Sequence, residues 1–138
     1  MQLRNEDYEK IQELCSCGDN FVKNHFYDEA ISKYKEALDL VPDDKAEWEA
    51  STWIYTALGD TYFFKRDFES AKNYLYDALN CPQGISNPFI SFRLGQCLAE
   101  LGDIEKSKRY LLRTYMIDGE KIFRNEDIKY FNIISKEI

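Results

Sequence analysis

The sequence predicts an all-α chain of about seven helices arranged as antiparallel pairs, on three observations. Glycines at 18, 59 and 95 each sit inside an apolar helical pattern, and each is answered twelve residues later by a small residue, Ala30, Ala71 or Ser107. Breakers are sparse, with six glycines and three prolines, so long stretches run uninterrupted. Aromatic residues are abundant, with ten tyrosines, nine phenylalanines and two tryptophans, enough to fill the interfaces between helices. A glycine inside a helix costs about 1 kcal/mol relative to alanine. Three at a recurring offset therefore ask for a reason, and the close approach of a partner helix supplies one. Ala30, Ala71 and Ser107 are expected to thin each second helix where it meets the next pair.

In chain order, Asn5-Glu-Asp opens the first helix as a capping residue followed by acids suited to the positive end of the helix dipole. That helix is expected from about Glu6 to Lys23. The turn Asn24-His-Phe leads to a second helix from about Tyr27 to Leu40, which Pro42-Asp-Asp stops. Lys45 to Ser51 contain no breaker and read as roughly two extra turns on the front of a third helix ending near Lys65. Trp48 falls in that extension, where packing against the first helix is the expected role. The fourth helix spans about Phe68 to Asn80. Cys81-Pro-Gln-Gly-Ile-Ser-Asn-Pro88 breaks the chain, with Asn87 as cap and Pro88 as first helical residue. Helices five and six cover about Pro88 to Leu101 and Ile104 to Ile117. Asn125-Glu-Asp opens a last helix to about Lys136, with a stripe of Ile128, Phe131, Ile134 and Ile138 facing inward.

The residues around the glycines carry a resemblance. Leu14, Gly18, Phe21, Ala30, Tyr34, Ala37 and Pro42 recur as Tyr55, Leu58, Gly59, Tyr62, Ala71, Leu75 and Ala78, and as Leu94, Gly95, Leu98, Ser107, Leu111 and Thr114. This resembles the tetratricopeptide repeat, a helix-turn-helix unit of 34 residues. The units fall at residues 11–44, 52–85 and 88–121, with a capping helix at about 125–137. The third departs most, with Ser91, Ser107 and Thr114 at positions usually large or alanine and no closing proline. The resemblance implies a single domain, residues 1–138, forming a right-handed superhelix of helix pairs whose exposed ends must be covered by terminal units.

A formal charge of −7 argues against nucleic acid, which needs clustered lysine and arginine. No apolar run approaches the ~20 residues of a membrane helix, and the N-terminus lacks the apolar core of a signal peptide. Cys15, Cys17, Cys81 and Cys97 form no CxxC pair, and His25 is the one histidine. Zinc, disulfides and other cofactors are therefore not expected, and free cysteines suit a reducing cytoplasm. No nucleophile-base pairing or phosphate loop is legible, so catalysis is not expected.

The resemblance implies that the first helix of each pair lines a concave groove and supplies ligand contacts from fixed positions. Those positions carry Gln12, Cys15, Asp19, Val22 and Lys23; Trp53, Thr56, Asp60, Phe63 and Phe64; and Phe89, Phe92, Gln96, Ala99 and Glu100. From these, the expected groove is Asp19, Lys23, Trp53, Thr56, Asp60, Phe64, Phe89, Phe92, Arg93 and Gln96. Arg93 is the cation best placed beside the rings. A competing expectation puts several rings in the core or under the last helix. Heat-shock co-chaperones of this family clamp a peptide's C-terminal carboxylate with lysine, asparagine and arginine. The corresponding residues here are Cys15, Asp19, Ala57, Phe89 and Arg93, of which only the arginine matches. A protein or peptide ligand is therefore expected, an internal or basic segment rather than a free carboxylate. A self-assembled homodimer is an alternative role. So is a toxin-neutralising one, because 87–123 also look similar to small bacterial repeat proteins found beside toxin systems.

Overall fold

The computed structural model describes residues 3–138 and shows, among them, seven α-helices and no strand. They are α1 (Asn5–Lys23), α2 (Tyr27–Asp39), α3 (Glu49–Phe64), α4 (Phe68–Leu79), α5 (Pro88–Glu100), α6 (Ile104–Asp118) and α7 (Ile128–Ile134). The helices pair as α1 with α2, α3 with α4 and α5 with α6, and the pairs stack through α2 on α3 and α4 on α5. The last pair is closed by α7 against α6. An inner row of α1, α3 and α5 results, in which α3 touches α5 directly.

Amphipathic spacing explains which face each helix buries. Ile11, Leu14 and Gly18 of α1 meet Ala30, Tyr34 and Ala37 of α2 in the first core. Each recurring glycine lies where a helix crosses closest. A Cβ at Gly18 would stand 2.7 Å from the Tyr34 ring, at Gly59 2.6 Å from Leu75, and at Gly95 2.7 Å from Leu111. These are well inside the ~3.5 Å at which carbon atoms rest against each other. The twelfth-residue partners also act within their own pair, while Ala30 and Ala71 share cores with residues of the next pair. Ser107 Oγ donates to the Gly95 carbonyl at 2.7 Å, and a Cβ on Gly59 would lie 3.3 Å from the Ala71 carbonyl.

The bend between the two helices of each pair repeats as well. His25 (φ 64°), Arg66 (φ 65°) and Gly102 (φ 87°) occupy the same place in successive pairs, all left-handed. The next residue starts the following helix. Asp67 and Asp103 accept from the backbone N–H of Ser70 and Lys106, whereas Phe26 offers no side-chain cap. At the fifth helix the expected cap is present: Asn87 accepts from the Phe89 N–H, with Pro88 as the first helical residue.

Three expectations are corrected. Asn5 is the first residue of α1 rather than its cap; Arg4 stands at the cap and pairs with Asp7 at 3.2 Å. Lys45 to Ser51 do not extend the third helix as two turns. Asp44 is left-handed (φ 58°), Lys45–Glu47 form a separate 3-10 turn, and Trp48 is extended before α3 begins at Glu49. Trp48 still packs on the first core, and its indole N–H is buried without an acceptor among the described residues. Such a group costs about 1–3 kcal/mol, so packing of the ring holds it there. Finally, the last helix starts at Ile128, capped by Asp127, after a 3-10 turn at Lys121–Phe123. Tyr130 and Ile134, one turn apart, face inward, while Ile128 and Ile138 are exposed.

Candidate functional site

The inner row is organised by Arg93 of α5. Its Nε donates to Asp60 of α3 at 2.8 Å, and its Nη1 donates to Gln96 at 2.8 Å and to Glu126, ahead of α7, at 3.1 Å. Gln96 completes the ring of contacts by donating to the same Glu126 oxygen at 2.8 Å. The guanidinium lies over Phe63, Phe89 and Phe64 at 4.4, 5.0 and 5.6 Å from their centroids. A cation so surrounded is attracted by the negative faces of the rings as well as by the carboxylates. Burial raises the Asp60 carboxyl above its ordinary value, although Arg93 pulls it down. Arg93, only 7% exposed, ties α3, α5 and the segment before α7 together and is not free for a ligand.

Phe92 is a second correction. It is 1% exposed, edge-on to Phe123 at 4.9 Å, in a core shared with Tyr130 and Ile134. The folded-back segment after α6 covers it. Gln96 is fully buried too. Phe92, Arg93 and Gln96 are therefore removed from the exposed groove.

The remaining expected residues divide by position. Trp53 and Phe64 are exposed, 39% and 41%, and Phe89 is half-buried under Arg93. Phe64 stacks on Tyr27 at 5.9 Å. Trp53, Thr56, Asp60 and Phe89 come together on a cleft of about 240 Å³ between α3 and the start of α5. The Thr56 hydroxyl donates back to the Thr52 carbonyl at 2.6 Å, which leaves its oxygen an acceptor. Asp19 is exposed on α1 and accepts from Tyr34 Oη at 2.5 Å; Lys23 is exposed in the last turn of that helix. Burial and the Asp19 carboxylate together push the Cys15 thiol up to about 11, and burial pushes Cys97 to about 12, so neither is a ready thiolate.

Two contributors were not anticipated from the sequence. Tyr8, ahead of the first repeat unit, is 39% exposed and edge-on to Trp53 at 6.0 Å, lengthening the aromatic face. Glu126 supplies the second carboxylate to Arg93. An apolar residue three before Ile11 on a long first helix was a usable sign of Tyr8; nothing local marked Glu126. No group of acidic, cysteine and histidine residues that could hold a metal occurs among the described residues. None of their helices is long and apolar enough to cross a membrane.

The glycine-centred pairs and their common bend have a match among known proteins: the tetratricopeptide-repeat profile fits residues 54–80 and 90–120. The chain carries tetratricopeptide repeats. Solved structures of such repeats share its architecture. The C-terminal repeat domain of an FK506-binding protein from Plasmodium falciparum superposes with a TM-score of 0.76 at 24% identity, covering 95% of this chain and 92% of that one. The type III secretion chaperone SycD of Yersinia enterocolitica, in complex with a peptide of the translocator YopD, has a TM-score of 0.74 at 14% identity, with 93% and 92% covered. The second repeat domain of human RPAP3, in complex with an HSP70 peptide, has a TM-score of 0.72 at 16% identity, with 94% and 96% covered. The helical-repeat superhelix is thus the fold of this chain.

Proposed function

We propose that the three repeats and the closing helix act as one domain that binds an extended segment of a partner protein along the inner face, as a non-catalytic adaptor in the cytoplasm. The observation that carries this reading is the exposed aromatic surface on the inner row: Tyr8, Trp53 and Phe64 present ring area to solvent beside the cleft of Thr56, Asp60 and Phe89. Exposed rings around a concave floor are the anchors that protein interfaces use. The internal engagement of Arg93 sharpens the ligand class. With its guanidinium held by Asp60 and Glu126, and Asp19 on the facing helix, the groove favours an internal or basic segment over a free C-terminal carboxylate.

The test is affinity capture from a lysate with the wild type and the Trp53→Ala/Phe64→Ala double variant in parallel. A partner retained by the wild type and lost from the variant is expected. Identical retention by both proteins would refute the groove. Retention of the protein's own chain alone, with a mass that rises with concentration in sedimentation, would transfer the role to self-assembly.

A further inference from the structure

A second cleft lies outside the repeat units. About 380 Å³ in volume, it is bounded by Leu3, Asn5 and Tyr8 at the start of α1 and by Trp48, Glu49 and Trp53 around the start of α3. Of these only Trp53 belongs to a repeat position. The others come from the segment before the first repeat and from the seven residues inserted between the first and second. Both tryptophans of the chain stand on this one cleft. Tyr8 and Trp53 meet at 75° with centroids 6.0 Å apart, so two ring faces form walls at nearly right angles. The Trp48 ring is a third wall, set there by the left-handed Asp44 and the extended backbone that precede α3.

Charge selects among occupants. The segments carrying the cleft, residues 3–13 and 43–49, hold eight carboxylates against three cations. The cations are engaged: Arg4 with Asp7 at 3.2 Å, Lys10 with Glu13 at 3.7 Å, and Lys45 with the Val41 carbonyl at 2.5 Å. Glu6, Glu9, Glu47 and Glu49 are exposed, and Glu49 lines the cleft itself. The two helix N-termini here oppose this with about half a positive charge each, far less than the local acidic excess. Among the described residues, an anion would meet no free cation there. A neutral apolar group would fill the space but use neither the acidic rim nor the ring faces. A cation uses both, because orthogonal aromatic faces attract it through their quadrupoles.

We infer that this cleft receives the side-chain cation of an arginine or lysine from a basic segment of a partner protein. The inference adds a second, chain-specific pocket to the protein-binding reading and rests on it only for the partner's being a protein. The probe is a blocked peptide, acetyl-Gly-Ser-Leu-Arg-Leu-Ser-Gly-amide, and its counterpart with neutral citrulline in place of arginine. Binding is followed by calorimetry and by the intrinsic fluorescence of Trp48 and Trp53.

The arginine peptide is expected to change the fluorescence and to bind at least about fivefold more tightly than the citrulline peptide, the scale of one solvent-exposed cation–ring contact. Tyr8→Leu and Trp53→Leu, which keep apolar volume but remove a ring face, should each weaken the arginine peptide by a similar factor. Equal affinity for the two peptides, no binding up to millimolar peptide, or unchanged affinity in both leucine variants would each overturn the inference. Circular dichroism checks that the variants fold. If Trp53→Leu does not, the citrulline comparison and Tyr8→Leu still decide. Failure here leaves the capture experiment with the Trp53/Phe64 variant standing on its own outcome.

Discussion

Gly59→Ala tests the packing that holds the stack together. The added methyl would lie 2.6 Å from Leu75 Cγ and 2.8 Å from its Cδ2, so Leu75 must retreat about 1 Å to reach ordinary contact. Leu75 is fully buried, and the Ala71 carbonyl at 3.3 Å closes the other side. Overpacking of this kind costs about 1–3 kcal/mol. Alanine's better helix propensity returns about 1 kcal/mol. The net expectation is a loss of about 1 kcal/mol, read as a lower urea midpoint with unchanged slope. Leu75→Ala alone should cost about 2–5 kcal/mol by leaving a cavity. In that background the new methyl meets empty space, only the propensity gain remains, and Gly59→Ala should become stabilising by about 1 kcal/mol. This reversal of sign separates steric approach from any intrinsic effect of the glycine. If Gly59→Ala instead stabilises the wild-type protein by the full propensity gain, or if the two substitutions add, the close-approach explanation is wrong.

Two further outcomes follow from burial and charge. Phe92→Ala should cost about 3–5 kcal/mol because its ring fills the core beneath the folded-back segment, whereas Phe64→Ala, at an exposed site, should change stability by about 0.5 kcal/mol or less; equal melting temperatures for the two would contradict the assignment of core and surface. Hydrogen bonds from Lys129, and then from Tyr130, hold the Glu100 carboxyl below its ordinary value of 4.5. A carboxylate lowered by folding contributes stability that is present above the unfolded value and lost as pH falls through the folded one. Below about pH 4.5 the contact of α7 with α5 should therefore weaken, and Glu100→Gln should flatten that part of the pH profile in thermal melts. Asp60, raised chiefly by burial, acts with the opposite sign, so a profile steepened by Glu100→Gln would show that Asp60 or another group dominates.

Most of the helical framework was legible because it rests on local chemistry. Glycine offsets, apolar periodicity and the Asn87-Pro88 start place α1, α2, α4, α5 and α6, and the end of α3, within one or two residues of where they occur. What escaped depends on residues far apart in the chain. Phe92 and Arg93 sit at positions that face a groove in an isolated repeat; the return of residues 120–127 across α5 covers Phe92 with Phe123 and adds Glu126 to the Arg93–Asp60 pair. Trp48 escaped for a different reason. A run without breakers reads as helix, yet one left-handed aspartate at position 44 is enough to turn the chain into a 3-10 bend and an extended residue. The cleft that results was invisible in the sequence because most of its wall comes from the segment before the first repeat and from the residues inserted between the first two, which share no pattern. Of the expected groove, Trp53, Thr56, Asp60 and Phe89 do share one cleft. That juxtaposition follows from the repeat spacing itself.

The common bend has an engineering consequence. Because His25, Arg66 and Gly102 take the same left-handed shape at the same register, the Gly102-Asp103 pair of the third repeat is a ready-made part for the other two. Transplanted to the first, as His25→Gly with Phe26→Asp, it would replace a side chain in a conformation that suits glycine and would introduce the cap that Phe26 cannot provide. The hairpins are in this sense interchangeable modules whose joints were finished to different standards, and the least finished joint lies in the repeat that carries Asp19 and Lys23. The exchange would also remove the His25 contact to Tyr27 Oη at 2.8 Å and the edge-on packing of Phe26 on Phe21, and Tyr27 stacks on Phe64, so this joint and the aromatic face are adjusted together.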